Sequence, residues 1–139
     1  MIGGTSMVSY VRQRLAEIQA DPALRRRPAK PLSFQKQAVV VAKFLAALAH
    51  EKRLLTCIHL MDGERTVTDL LARVGGTQHS LSQHLGMLVE MGIVESRAEG
   101  RWRYYSCKSE AAKDVIRVLD LLAWNNALPA PPSGALERP

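Results

Sequence analysis

Cysteine is nearly absent: the 139 residues hold only Cys57 and Cys107, far apart and in no Cys-x-x-Cys arrangement. That excludes a disulfide scaffold and a zinc finger. No apolar run approaches the length a bilayer span needs, so a soluble protein with no membrane partner is expected. The amino end, Met1 to Ser6, lacks the charged start and apolar core of a secretory signal, which points to the cytoplasm. Neither a repeat of fixed period nor a heptad run is present. Metal cluster, phosphate loop and nucleophile with a positioned base are all missing, so neither an enzyme nor a cofactor is implied.

What is present is an ordinary apolar share of 47% and a formal charge of +6. The length suits one compact domain with flexible ends. The positive balance favours an anionic partner, because lysine and arginine near phosphates release condensed counterions. Double-stranded DNA is the leading candidate.

Composition divides the chain into three. Residues 1–33 combine a short amphipathic helix over Ser6 to Gln19 with a basic, proline-punctuated arm holding Arg25, Arg26, Arg27 and Lys30. That arm reads either as a solvated tether or as a DNA-touching segment. Residues 34–126 read as the folded domain, and residues 127–139, rich in proline, as a disordered tail.

Within the domain, apolar residues at helical spacing predict helices over Gln35 to His50 and Glu51 to Met61, the second stopping at Asp62 and Gly63. A very short strand is expected at Thr66 to Thr68, with Thr68 capping a helix that ends at Gly75 and Gly76. Thr77 then caps a helix reaching Met91, with Leu81, Leu85, Leu88 and Val89 on one face, and Gly92 stops it. Two β-favouring runs around Glu99 and Gly100 predict a hairpin. Glu110 to Ala123 returns to helical spacing, with more apolar surface than the rim of a small domain requires.

Two short helices joined by a glycine turn and followed by a basic hairpin make a winged helix-turn-helix. The fold class is therefore mainly α with a small β-hairpin, in the order α-α-(β)-α-α-β-β-α. The second of the two helices fits the major groove of B-DNA, where base edges expose distinguishable donors and acceptors. Its outward residues are Gln78, His79, Ser82, Gln83 and His84, and Gln78 to Gly86 holds no Lys or Glu. An ordinary solvated helix face would carry many of both. Gln can grip adenine in a bidentate way, and Thr77 at the helix start suits a phosphate. Arg97, Arg101 and Arg103 on the hairpin would reach phosphates or the minor groove, although charge on a hairpin edge also serves to prevent aggregation. Trp102, Tyr104 and Tyr105 read as packing residues rather than base stackers.

The stretch Ala42 to Trp124 resembles the bacterial ArsR (SmtB) family of repressors, most of all its NolR- and HlyU-like members, which lack the metal site. The resemblance rests on FLAALAHEKRLLTCIHLMDGE, on TVTDLLARVGGTQHSLSQHLGMLVEMGIVESR with its core Ser82, Gln83, His84, Leu85, and on the wing ending RWRYYS. It implies a homodimer, joined through first and last helices, on an inverted-repeat operator. The excess apolar face of Ala112 to Leu122 agrees, since it needs a partner surface.

The family often senses metals, but its thiol site would fall where Thr66, Val67, Thr68 and Asp69 stand, and its last-helix site needs histidines that Lys108 to Trp124 lacks. No metal is therefore expected. Cys57 and His59, two apart on one helix, point in different directions and do not share an ion. Relatives that sense oxidants or persulfides have cysteines at the positions of Ile58 and Trp124, so a redox role here would have to use Cys57 and Cys107 instead. Gly76 also departs from the apolar residue that relatives place in the turn. A winged-helix protein-interaction module that has lost DNA binding is the competing function.

Overall fold

The structure, a computed structural model, describes residues 3–22 and 33–132. The basic arm at Arg25 to Lys30 and the tail beyond residue 132 lie outside the described residues. The chain forms two compact units, one within residues 28–114 and the other from residues 1–27 and 115–139.

The larger unit begins with α2 (Phe34–Leu48), which follows α1 (Gly3–Ala20) of the other unit. The Ser33 hydroxyl caps α2 by accepting from the Lys36 amide. The next helix, α3 (Glu51–Leu60), is capped by an imidazole: His50 Nδ1 accepts from the Lys52 amide at 3.1 Å. After the turn at Gly63 comes β1 (Arg65–Thr66) and then α4 (Val67–Val74).

Here the structure corrects two assignments. The strand is Arg65–Thr66, not Thr66 to Thr68, and the cap is Thr66, whose hydroxyl accepts from the Asp69 amide at 3.2 Å. Capping at Thr66 places an acidic residue in the first helical turn, where the helix dipole favours it, and carries Thr68 inside the helix.

The turn from α4 to α5 (Gln78–Glu90) runs through Gly75 and Gly76, with φ of +80° and +84°. Nothing lies within 4 Å of where a Gly76 Cβ would stand, so backbone conformation rather than crowding calls for glycine there. Thr77 caps α5 by accepting from the Ser80 amide at 3.1 Å. The far end closes in a Schellman arrangement: the Ile93 amide donates to Leu88 O at 2.9 Å and the Gly92 amide to Val89 O at 3.0 Å, with Gly92 at φ +71°.

The wing is β2 (Val94–Glu99) and β3 (Trp102–Cys107), paired antiparallel from Val94 and Cys107 to Glu99 and Trp102. Gly100, at φ +61°, starts its two-residue turn, where a two-residue hairpin favours a positive φ. β1 adds to the other edge of β3, giving the order β1-β3-β2.

The core of this unit comes from all these elements. Cys57 and Leu60 of α3, Leu70 and Val74 of α4, Leu81, Leu85 and Leu88 of α5, and Ile93, Val94 and Cys107 around the wing are buried. Each such leucine contributes about 1.5–3 kcal/mol through burial. The spacing of Leu81, Leu85 and Leu88 therefore decides which side of α5 faces out.

α6 (Glu110–Trp124) spans the boundary between the two units. Ser109 Oγ accepts from the Ala112 amide at its start, and Ala112 is fully buried. In the smaller unit, Ile116 is buried while Leu119 and Trp124 are exposed. No helix among the described residues is long and apolar enough to cross a membrane.

Candidate nucleic-acid interface

With three leucines pinned inward, α5 exposes Gln78, His79, Ser82 and Gln83, and Thr77 stands exposed at its cap. The residues read as base-facing thus share one solvent-exposed side of one helix. The helix N-terminus adds unsatisfied amides and a positive dipole end, which suits a phosphate.

His84 differs. It is half-buried, its ring centroid 4.4 Å from that of His50 and its Nδ1 3.5 Å from an Arg53 terminal nitrogen. Burial, then the neighbouring His50 and Arg53, hold its pKa below the usual histidine value. Desolvation and the neighbouring guanidinium both disfavour a positive charge on the ring. His84 thus lies against the interior side of the interface, not in the row that faces out.

The wing arginines also divide. Arg97 donates to both carboxylate oxygens of Glu64, at 3.0 and 2.8 Å, and to Glu99 at 2.7 Å, and its guanidinium lies 4.7 Å from the centroid of the Tyr104 ring. Those carboxylates, Glu99 first, raise its pKa further. The sequence suggested a phosphate anchor; the structure shows a guanidinium already neutralised by two carboxylates, bracing the wing. Arg103 donates to Ser96 Oγ at 3.1 Å and is exposed. Arg101, in the turn, is exposed and has no ion pair among the described residues.

Trp102 is the aromatic residue that the sequence reading misjudged. It is 52% exposed beside the wing turn and, with Tyr104, Thr66, Thr68, Asp69 and Ala72, lines an open cleft of about 500 Å³. It starts a two-stranded hairpin end that no third strand covers, because β1 reaches only Tyr104 and Tyr105.

On α4, the Asp69 carboxylate accepts from Arg65 at 2.8 Å and Arg73 at 3.1 Å, and these guanidiniums, Arg65 first, hold its pKa below the ordinary carboxylate value. Among the described residues no three His, Cys, Asp or Glu side chains come together as a metal site would require. Cys57 and Cys107 lie away from the exposed side of α5, both as buried thiols. Burial, then the neighbouring Cys107, pushes the Cys57 thiol up to about 12.

Sequence reasoning missed the residues that hold this interface in place. Lys52 Nζ donates to Val74 O at 2.9 Å, at the end of α4, and Arg53 donates to Ala47 O at 2.7 Å and Ala46 O at 3.2 Å, at the end of α2. In the sequence they are two charges in the first turn of a helix, and nothing local signals that one reaches back to the preceding helix and the other 22 residues ahead.

Known proteins agree with this geometry. Residues 57–96 match the family model described as bacterial regulatory protein, arsR family. The biofilm growth-associated repressor of Agrobacterium fabrum is 38% identical over 87 residues, covering 63% of this chain and 74% of that protein. The transcriptional activator HlyU of Vibrio cholerae is 33% identical over 101 residues, covering 73% of this chain and 94% of that protein. Among solved structures, NolR from Sinorhizobium fredii superposes with a TM-score of 0.60 at 36% identity, over 66% of this chain and 93% of that one. A winged helix-turn-helix whose outward helix face is Gln78, His79, Ser82 and Gln83, and relatives covered over 74% to 94% of their length, lead to one conclusion: the chain belongs to the ArsR family of DNA-binding transcriptional regulators, which are not enzymes.

Proposed function

We propose that the protein acts in the cytoplasm as a homodimeric repressor on an inverted-repeat operator, with α5 in the major groove of each half-site. The observation that carries this reading is the row Gln78, His79, Ser82 and Gln83, exposed on a helix whose opposite side is locked by buried leucines. Gln83 and Gln78 read base edges, Thr77 and the helix N-terminus meet a phosphate, and Arg101 and Arg103 anchor the wing. Arg97 acts through the wing's shape.

Dimerisation is supported by exposed apolar side chains on the helices expected to form the subunit interface. Val39, Val40, Val41 and Leu45 of α2 are exposed, as are Leu119 and Trp124 of α6. A monomer gains nothing by leaving such surface in water. Two-fold symmetry then sets the two α5 helices about one DNA turn apart.

Selection of duplexes from a randomised pool, followed by footprinting, tests the reading. Two protected half-sites with centres about 10–10.5 base pairs apart, bound by two chains, are expected. A monomer on a single half-site would refute the dimer. No enriched sequence would favour the protein-interaction module, against which the regulator family already weighs. As a signal input, a thiol switch through Cys57 and Cys107 has little chemical support, since the thiolate is the reactive form and burial suppresses it.

A further inference from the structure

Arg53 joins three segments that are separate in sequence. Arg53 meets two carbonyls in the last turn of α2: Nε donates to Ala47 O at 2.7 Å and a terminal nitrogen to Ala46 O at 3.2 Å, the latter shared with the cap amide of Ala49. Its other terminal nitrogen faces Nδ1 of His84, in the middle of α5, at 3.5 Å. A guanidinium only donates, so this contact requires a neutral His84 with its proton on Nε2. The His84 ring in turn lies against His50, whose Nδ1 caps α3. His84 directly follows Gln83, the residue read as gripping a base.

We propose that Arg53 is a positioning residue for DNA recognition, setting α5 against the end of α2 through His84. Three donors fixed in one plane serve two carbonyls and a ring nitrogen together; the single ammonium of a lysine does not. Because α2 also carries the exposed apolar side chains assigned to dimerisation, the same contact ties the spacing device to the reading helix. The proposal rests on the base-reading role of α5.

The test uses the full chain, a duplex enriched by the wild type from a randomised pool, and a random duplex of equal length. Arg53→Ala weakens binding to the enriched duplex about tenfold, while random-duplex affinity and salt slope stay unchanged. Arg53→Lys keeps the charge and fails to restore the loss. His84→Ala loses the same factor, and the double variant loses no more than either single one. Rescue by lysine, losses that add, a reduced salt slope or full retention of affinity each overturn the proposal. Should Arg53→Ala fail to fold, Arg53→Lys and His84→Ala decide by the same criteria. A wild type that enriches no sequence removes the base-reading role of α5 first, and the positioning role with it.

Discussion

The Lys52 ammonium donates to the main-chain carbonyl of Val74 at 2.9 Å, tying the first turn of α3 to the last turn of α4 across 22 residues. The bond falls just before Gly75, where a Cβ would stand 3.6 Å from the same nitrogen. It anchors the helix-turn-helix at the point where the chain reverses.

Lys52→Ala therefore leaves a helix-end carbonyl without its charged donor. The loss should be about 1.5 kcal/mol, the lower range for a charged hydrogen bond because the site is partly exposed. Urea unfolding measures it. A change below about 0.3 kcal/mol would mean that water replaces the ammonium fully.

Wing and helix should separate by salt dependence. Gln83→Ala is expected to weaken binding chiefly at one base pair, by about 1–3 kcal/mol, with the salt slope intact. Arg101→Ala should weaken binding on all sequences alike and lower the slope by about 1. Arg97→Ala should leave the slope unchanged, because Glu64 and Glu99 already neutralise that guanidinium. Mobility shifts over a salt series distinguish the three, and equal slopes for Arg97→Ala and Arg101→Ala variants would return Arg97 to the phosphate anchors.

His84 makes stability depend on pH. Its folded pKa lies below the ordinary 6.5, from burial first and then from His50 and Arg53. Above about pH 6.5 the ring is neutral in both states and its contribution is complete. As pH falls through 6.5, the unfolded chain takes up a proton that the folded site refuses, so stability declines with acidity until the folded pKa is passed. Urea midpoints between about pH 7.5 and 5.5 should fall in the wild type and fall less in His84→Gln. Parallel declines in both would exclude His84 as the source.

Cys57 should be chemically quiet. With its pKa pushed up to about 12 and its side chain fully buried, almost no thiolate exists at neutral pH. Native protein is expected to resist alkylation at Cys57 until denaturant unfolds it, and DNA affinity should survive mild oxidant or polysulfide. Mass spectrometry that finds a Cys57–Cys107 link together with altered affinity would reinstate the thiol switch.

How far the sequence reached follows from the range of each interaction. Apolar spacing at Leu81, Leu85 and Leu88, a threonine cap and the positive-φ glycines act within one or two helical turns, so α5, its outward face and the wing were legible in the sequence. Thr66, not Thr68, became the cap because either hydroxyl suits the local pattern, and the pairing of Arg65 and Thr66 with β3 ends the strand at Thr66 and starts the helix at Val67.

The sequence by itself thus determined which helix is offered for DNA and which residues it exposes, since both depend on periodicity and short-range capping. Only the tertiary structure decided what each charge does. Arg97 is held by Glu64, 33 residues away, and His84 rests on Arg53, 31 residues away, and partners at such separations meet only when the core closes.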